Sequence, residues 1–141
     1  GLPDVKKAWA VVKESGCDNA KLILDSWHWI RANQSYDPSV LADVPADKVV
    51  AVQINDVQAH PYAAPVLRDE SMHDRMMPGT GHGDTAGFVK MIREKGIEPA
   101  VMGVEVISDE ILSAGVAEAA KANFDATRAV LEQAWPEVVE Q

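Results

Sequence analysis

The chain has 141 residues, 47% of them hydrophobic and 25% charged, which is one domain of a globular protein and excludes a disordered chain. Its formal net charge of -9 argues against nucleic acid or an anionic membrane surface as partner, and no run is long and apolar enough to span a bilayer. The single cysteine, Cys17, excludes a disulfide framework, and a lone loop thiol fits a reducing, cytoplasmic compartment. It has no obvious base beside it in sequence, so a catalytic role for it is not expected.

In chain order, Asp4 to Ser15 reads as an amphipathic helix, with Val5, Ala8, Trp9 and Val12 at helical spacing and Gly16 as its stop. Lys21 to Leu24 is the first strand. It is apolar and ends abruptly in Asp25, with His28 three positions on. Such runs suit a parallel strand buried on both faces, whose carboxyl edge is where α/β enzymes keep their chemistry. A polar loop follows over Arg31 to Tyr36. Asp37-Pro38 then starts a short helix with Val40, Leu41 and Val44 inward, ended by Pro45.

Val49 to Ile54 is a second buried strand, rich in β-branched residues and ending among Gln53, Asn55 and Asp56. Residues 57–83 read as one long, functional loop. It holds His60, Arg68, His73, Arg75 and His82, with the histidines exposed, and Pro78-Gly79-Thr80-Gly81. Asp84 caps a helix whose apolar face is Phe88, Met91 and Ile92, and Gly96 stops it. Pro99 to Val106 is the third strand and carries a charge, Glu105, between two valines. Ser108 caps a helical start. A long last helix runs from Val116 to Trp135, with Val116, Ala119, Ala120, Phe124, Thr127, Leu131 and Trp135 near one face.

Strands alternating with helices imply right-handed crossovers and a parallel sheet in one unit, 1–141, with no internal boundary. Each strand then delivers a polar group near its carboxyl end: Asp25 with His28, Gln53 with Asp56, and Glu105. Carboxylates, an amide oxygen and an imidazole suit a divalent cation such as Mn²⁺, Mg²⁺, Co²⁺ or Zn²⁺. The plainer alternatives are a capping role for Asp25, a His28 packed between Trp27 and Trp29, and a Gln53 that satisfies backbone groups. Glu105 is hardest to dismiss, because an acid flanked by Val104 and Val106 is costly to bury without a partner. Arg75 is the loop's best anion or hydroxyl binder, or else a surface charge.

At these residues the chain resembles the sugar phosphate isomerase/epimerase family with its xylose isomerase-like TIM barrel. The carriers are Leu24-Asp25-Ser26-Trp27-His28, then Val52-Gln53-Ile54-Asn55-Asp56. His73-Asp74-Arg75-Met76-Met77-Pro78-Gly79-Thr80-Gly81, Val104-Glu105-Val106 and the closing helix around Asp125-Ala126-Thr127-Arg128 follow in family order. The resemblance implies an α/β fold, the C-terminal part of a (β/α)8 TIM barrel. It implies Asp25, Gln53 and Glu105 as ligands of a divalent metal. A neutral glutamine oxygen among them favours Mn²⁺ or Mg²⁺, with Co²⁺ or Zn²⁺ as further candidates. His28 and Arg75 would contact substrate, and Glu105 and His28 would be catalytic.

The resemblance implies an isomerase or epimerase acting on a sugar or sugar phosphate, a small-molecule polyol or ketose, by proton abstraction next to a metal-bound carbonyl. A metal-dependent dehydratase of the 3-dehydroshikimate or inosose type is the alternative. A non-catalytic interaction module belongs to another class. A doubly wound nucleotide domain is disfavoured, because Pro78-Gly79-Thr80-Gly81 lies too far after its strand. The family's fourth ligand, a glutamate, would stand on a strand preceding Gly1. The chain is therefore expected to be a fragment, inactive in isolation, that needs the missing barrel half or a homo-oligomer partner.

Overall fold

The pattern of buried strand residues already says which face of the sheet the helices cover. In the computed structural model, which describes residues 4–33, 37–59 and 64–139, three parallel strands lie in the order β1 (Leu22–Asp25), β2 (Val49–Ile54), β3 (Val101–Val104). The register sets Asp25 beside Gln53, and Gln53 beside Gly103. Because side chains alternate along a strand, Leu22, Leu24, Val52 and Ile54 share one face and are buried. Ile23, Asp25, Ala51, Gln53, Val101 and Gly103 share the other. On that second face the edge residues Ile23 and Val101 are 59% and 62% exposed.

The helices cover the first face. α1 (Val5–Ser15) is capped by Asp4, whose carboxylate accepts the Lys7 amide, and ends at Gly16 in the left-handed region. Val5 and Trp9 from α1, and Phe88, Val89, Met91 and Ile92 from α4 (Thr85–Glu94), close over Leu24, Val52 and Ile54. The Pro38–Leu41 segment is a 3₁₀ turn rather than an α-helix. Its cap Asp37 is held below the usual carboxylate range by hydrogen bonds from the Ser39 amide and hydroxyl.

Three elements depart from the sequence expectation. The expected polar loop over Arg31 to Tyr36 begins inside a helix, α2 (Ser26–Asn33), and the Asp25 carboxylate accepts the His28 amide at 3.0 Å in the manner of an N-cap. The expected loop over 57–83 contains α3 (Ala64–His73). Among its described side chains the buried one is a charge: Glu70 accepts from Arg31 Nη2 at 2.5 Å and from the Gln58 amide at 2.9 Å. Periodicity has nothing to read there. His60 and residues 34–36 lie outside the described residues.

The third departure is the face of the last long helix. α5 (Asp109–Ser113) leads through Gly115 into α6 (Val116–Ala134) and α7 (Pro136–Val139). Ala119, Val130 and Ala134 are the buried residues of α6, whereas Phe124 and Val116 of the expected stripe are exposed. Of the expected face Ala119 is buried and Leu131 and Trp135 pack partly against the core, while Val130 and Ala134, outside that face, complete the buried side of α6.

The loop after α3 is organised by Asp56. This carboxylate is 1% exposed and accepts four backbone amides: Val57 and Gly83 at Oδ1, both 2.8 Å, and Gly79 and Gly81 at Oδ2, both 3.1 Å. Gly81 must be glycine, since a Cβ there would lie 2.5 Å from the Val57 carbonyl oxygen and 2.7 Å from Asp56 Oδ1. Paired backbone bonds between Asp56 and Met76, with the Arg75 amide donating to Ile107 O, bring the loop back across the ends of β2 and β3.

Candidate active site

The strand ends converge. Arg75, delivered by the returning loop, points a single guanidinium nitrogen between two carboxylates from different strands. Nη1 donates to Asp25 Oδ2 at 2.9 Å and to Glu105 Oε2 at 2.8 Å. The Arg75 side chain is 4% exposed. Its Nε donates to Ser71 O and its Nη2 to Ser71 Oγ, while the guanidinium lies 5.4 Å from the centre of the Trp27 ring. Arg75 is thus no loop-surface charge. It is the counter-ion of the two acids, and its donors are taken up largely by the protein. Removing one partner from such a buried ion pair costs about 3–5 kcal/mol.

Asp25 serves two structures at once. Oδ1 caps α2 through His28 N, and Oδ2 takes Arg75 and the Asn55 amide at 3.1 Å. Glu105 follows β3, its amide donating to Ile54 O, and its side chain is less enclosed than that of Asp25. Gln53 is the neighbour of Asp25 on the same sheet face. Among the described residues its side-chain amide has no hydrogen-bond partner. His28 is exposed, with its ring edge-on to Trp27 at 4.9 Å.

Asp25, His28, Gln53 and Ile23 line a cleft of about 310 Å³ that opens along β1 beside the start of α1. That volume is at the small end of ligand sites and suits a sugar-sized molecule. The Asp25 and Glu105 oxygens already share one positive nitrogen, and the adjacent Gln53 offers a neutral oxygen. The chemistry of this donor set fits a hard divalent ion. Among the described residues no three His, Cys, Asp or Glu side chains gather as a metal cluster, so the set is two carboxylates and an amide.

The other polar candidates stand apart. His73 pairs with Asp109 at the surface, His82 and Arg68 are exposed, and Cys17 is an exposed loop thiol. Asp56, a strand-end acid in sequence, spends both oxygens on loop amides. Two residues of the site carried no warning in the sequence beyond their place at strand ends, Asn55 and Ser26, both fully buried. Among the described residues no helix is long and apolar enough to cross a membrane.

Residues 2–133 match the family pattern of the xylose isomerase-like TIM barrel. A 3-dehydroshikimate dehydratase of Pseudomonas aeruginosa is 34% identical over 104 residues, a match that takes in 74% of this chain and 16% of that protein. An inosose isomerase of Halalkalibacterium halodurans is 29% identical over 121 residues, 86% of this chain and 40% of that protein. The crystal structure of an IolI protein with a bound zinc atom superposes with a TM-score of 0.79 over 94% of this chain and 45% of its own, at 22% identity, a likeness of fold. The chain spans less than half the length of each of these proteins. With three parallel strands, alternating helices and a match along nearly its whole length, the chain belongs to the xylose isomerase-like TIM barrel family.

Proposed function

We propose that the intact protein is a divalent-metal-dependent isomerase or epimerase of a polyol or ketose, with Asp25, Gln53 and Glu105 as metal ligands. The observation that carries this reading is the convergence of Asp25 and Glu105, from separate strand ends, on one positive centre beside Gln53. A divalent ion held there supplies Lewis acidity to a substrate carbonyl and so acidifies the adjacent C–H. Glu105, the more accessible carboxylate, would take that proton and in an isomerase return it to the neighbouring carbon, whereas in an epimerase a second acid from the rest of the barrel would deliver a proton to the opposite face. His28, at the rim of the cleft, would hydrogen-bond a substrate hydroxyl or carbonyl oxygen and orient it. Arg75 donates one nitrogen to both acids, and its remaining donor capacity would face substrate oxygen.

The rest of a barrel, in the same polypeptide or a second subunit, would cover the exposed inner residues Ile23 and Val101 and supply the remaining ligand. A dehydratase is the second reading, favoured by the Pseudomonas relative. It uses the same proton abstraction by Glu105 and then expels a hydroxyl, giving a conjugated product. Incubating the intact protein with Mn²⁺ and each substrate class separates the two. We expect Mn²⁺-dependent interconversion of stereoisomers or of ketose and aldose with no rise in ultraviolet absorbance. A conjugated product would replace this reading with the dehydratase, and metal-independence of both reactions would remove both.

A further inference from the structure

The geometry points to Asn55, held by Ser26, as a positioning residue that sets the direction of the Asp25 carboxylate. Asn55 is wholly buried and is the only described residue that bonds both to Asp25 and to the backbone of Glu105. Its Nδ2 donates to Asp25 Oδ2 at 3.1 Å and to the Glu105 carbonyl at 3.2 Å. Its Oδ1 accepts from the Ser26 hydroxyl at 2.8 Å. The amide cannot be turned around, because the carboxylate and the carbonyl are acceptors only and need the NH₂ group.

Ser26 fixes this orientation from the other side. Its Oγ accepts the Asn55 backbone amide at 2.8 Å and donates toward Asn55 O and Oδ1. Thr85 Oγ1 adds a donor to Asn55 O at 3.1 Å. One side chain on β2's end therefore ties the end of β1 to the end of β3. A carboxylate with donors from Asn55, Arg75 and His28 has little rotational freedom left. Alanine at 55 would leave Asp25 Oδ2 with Arg75 alone, while the Ser26 hydroxyl keeps its bonds to the backbone amide and carbonyl of residue 55. Groups that orient a ligating carboxylate change metal affinity by about 10–100-fold when removed.

This inference rests on Asp25 being a metal ligand, and the test separates the two ideas. Mn²⁺ affinity of the intact protein is measured by calorimetry and by the electron paramagnetic resonance of free Mn²⁺, for wild type, Asn55→Ala and Ser26→Ala, alongside thermal unfolding. Asn55→Ala is expected to weaken Mn²⁺ binding about 10–100-fold in the folded protein, and Ser26→Ala to weaken it by less. A purely structural role would lower the unfolding temperature and leave the affinity of the folded protein unchanged. Equal Mn²⁺ affinity in wild type and Ser26→Ala overturns the positioning role, whether or not Asn55→Ala folds. Absence of Mn²⁺ binding in wild type removes the metal-site reading and this inference with it.

Discussion

Glu105→Gln in the intact protein is expected to lower kcat by about 10²–10⁴-fold, the usual worth of a positioned general base, with a much smaller change in KM. Glutamine is nearly isosteric and keeps an oxygen toward Arg75 Nη1, which Glu105 Oε2 meets at 2.8 Å. It cannot take a proton at neutral pH. Substrate positioning by His28 and by the cleft along β1 is untouched by the change. Glu105→Ala removes the ligand oxygen as well, so it should lower Mn²⁺ occupancy in addition to turnover. A Glu105→Gln enzyme with kcat within a few-fold of wild type would show that the proton moves through another group. Unchanged Mn²⁺ occupancy in Glu105→Ala would favour the interaction-module reading.

The second large effect concerns stability. Asp56→Ala is expected to destabilise the protein by about 3–5 kcal/mol, measured by urea unfolding, because it strips one acceptor group from four backbone amides. Hydrogen bonds to a charged group are worth about 1.5–3 kcal/mol each but do not add fully. Asp56→Asn should recover part of the loss, since its amide oxygen still accepts while its NH₂ faces donors. The loop that Asp56 holds also carries Arg75, so the Asp56→Ala protein should lose Mn²⁺ affinity too. A loss below about 1 kcal/mol would mean that solvent satisfies those amides equally well.

The strands β1 and β2 and the acid Asp25 were legible because burial constrains residue type. An apolar, β-branched run closed by an acid fits the carboxyl end of a buried parallel strand far better than it fits a helix or a surface loop. Asp25 and Glu105 do converge, and Gln53 stands beside Asp25 on the same face. Asp25 also caps α2, so the plainer reading of that residue holds in this structure beside its place at the converging strand ends. α2 itself was hidden because Ser26–Asn33 places Trp27, a charge-stacking ring, and the exposed His28 where periodicity wants an apolar stripe. α3 was hidden for a related reason, since among its described side chains the buried one is Glu70, paired to Arg31.

Asn55 and Asp56 show what sequence patterns leave out. Both stand at the end of β2 as small polar residues, and nothing local says which will face the site. The structure sends the amide inward to Asp25 and the carboxylate outward to the glycine-rich loop. That partition depends on tertiary neighbours, Ser26 for one and the Gly79, Gly81 and Gly83 amides for the other. The face of α6 is a similar case. Ala119 of the expected stripe is buried, but the rest of the buried face runs through Val130 and Ala134 and leaves Phe124 exposed.

In the proposed site Asp25, Gln53 and Glu105 share one divalent ion. Crystals of the intact protein grown with Mn²⁺ and measured for anomalous scattering test it most directly. One strong anomalous peak within about 2.0–2.6 Å of an oxygen from each of the three side chains is the predicted result, with Arg75 still bonded to the carboxylates from outside. A peak elsewhere, or Mn²⁺-loaded protein in which Asp25 and Glu105 both keep Arg75 alone between them, would contradict it.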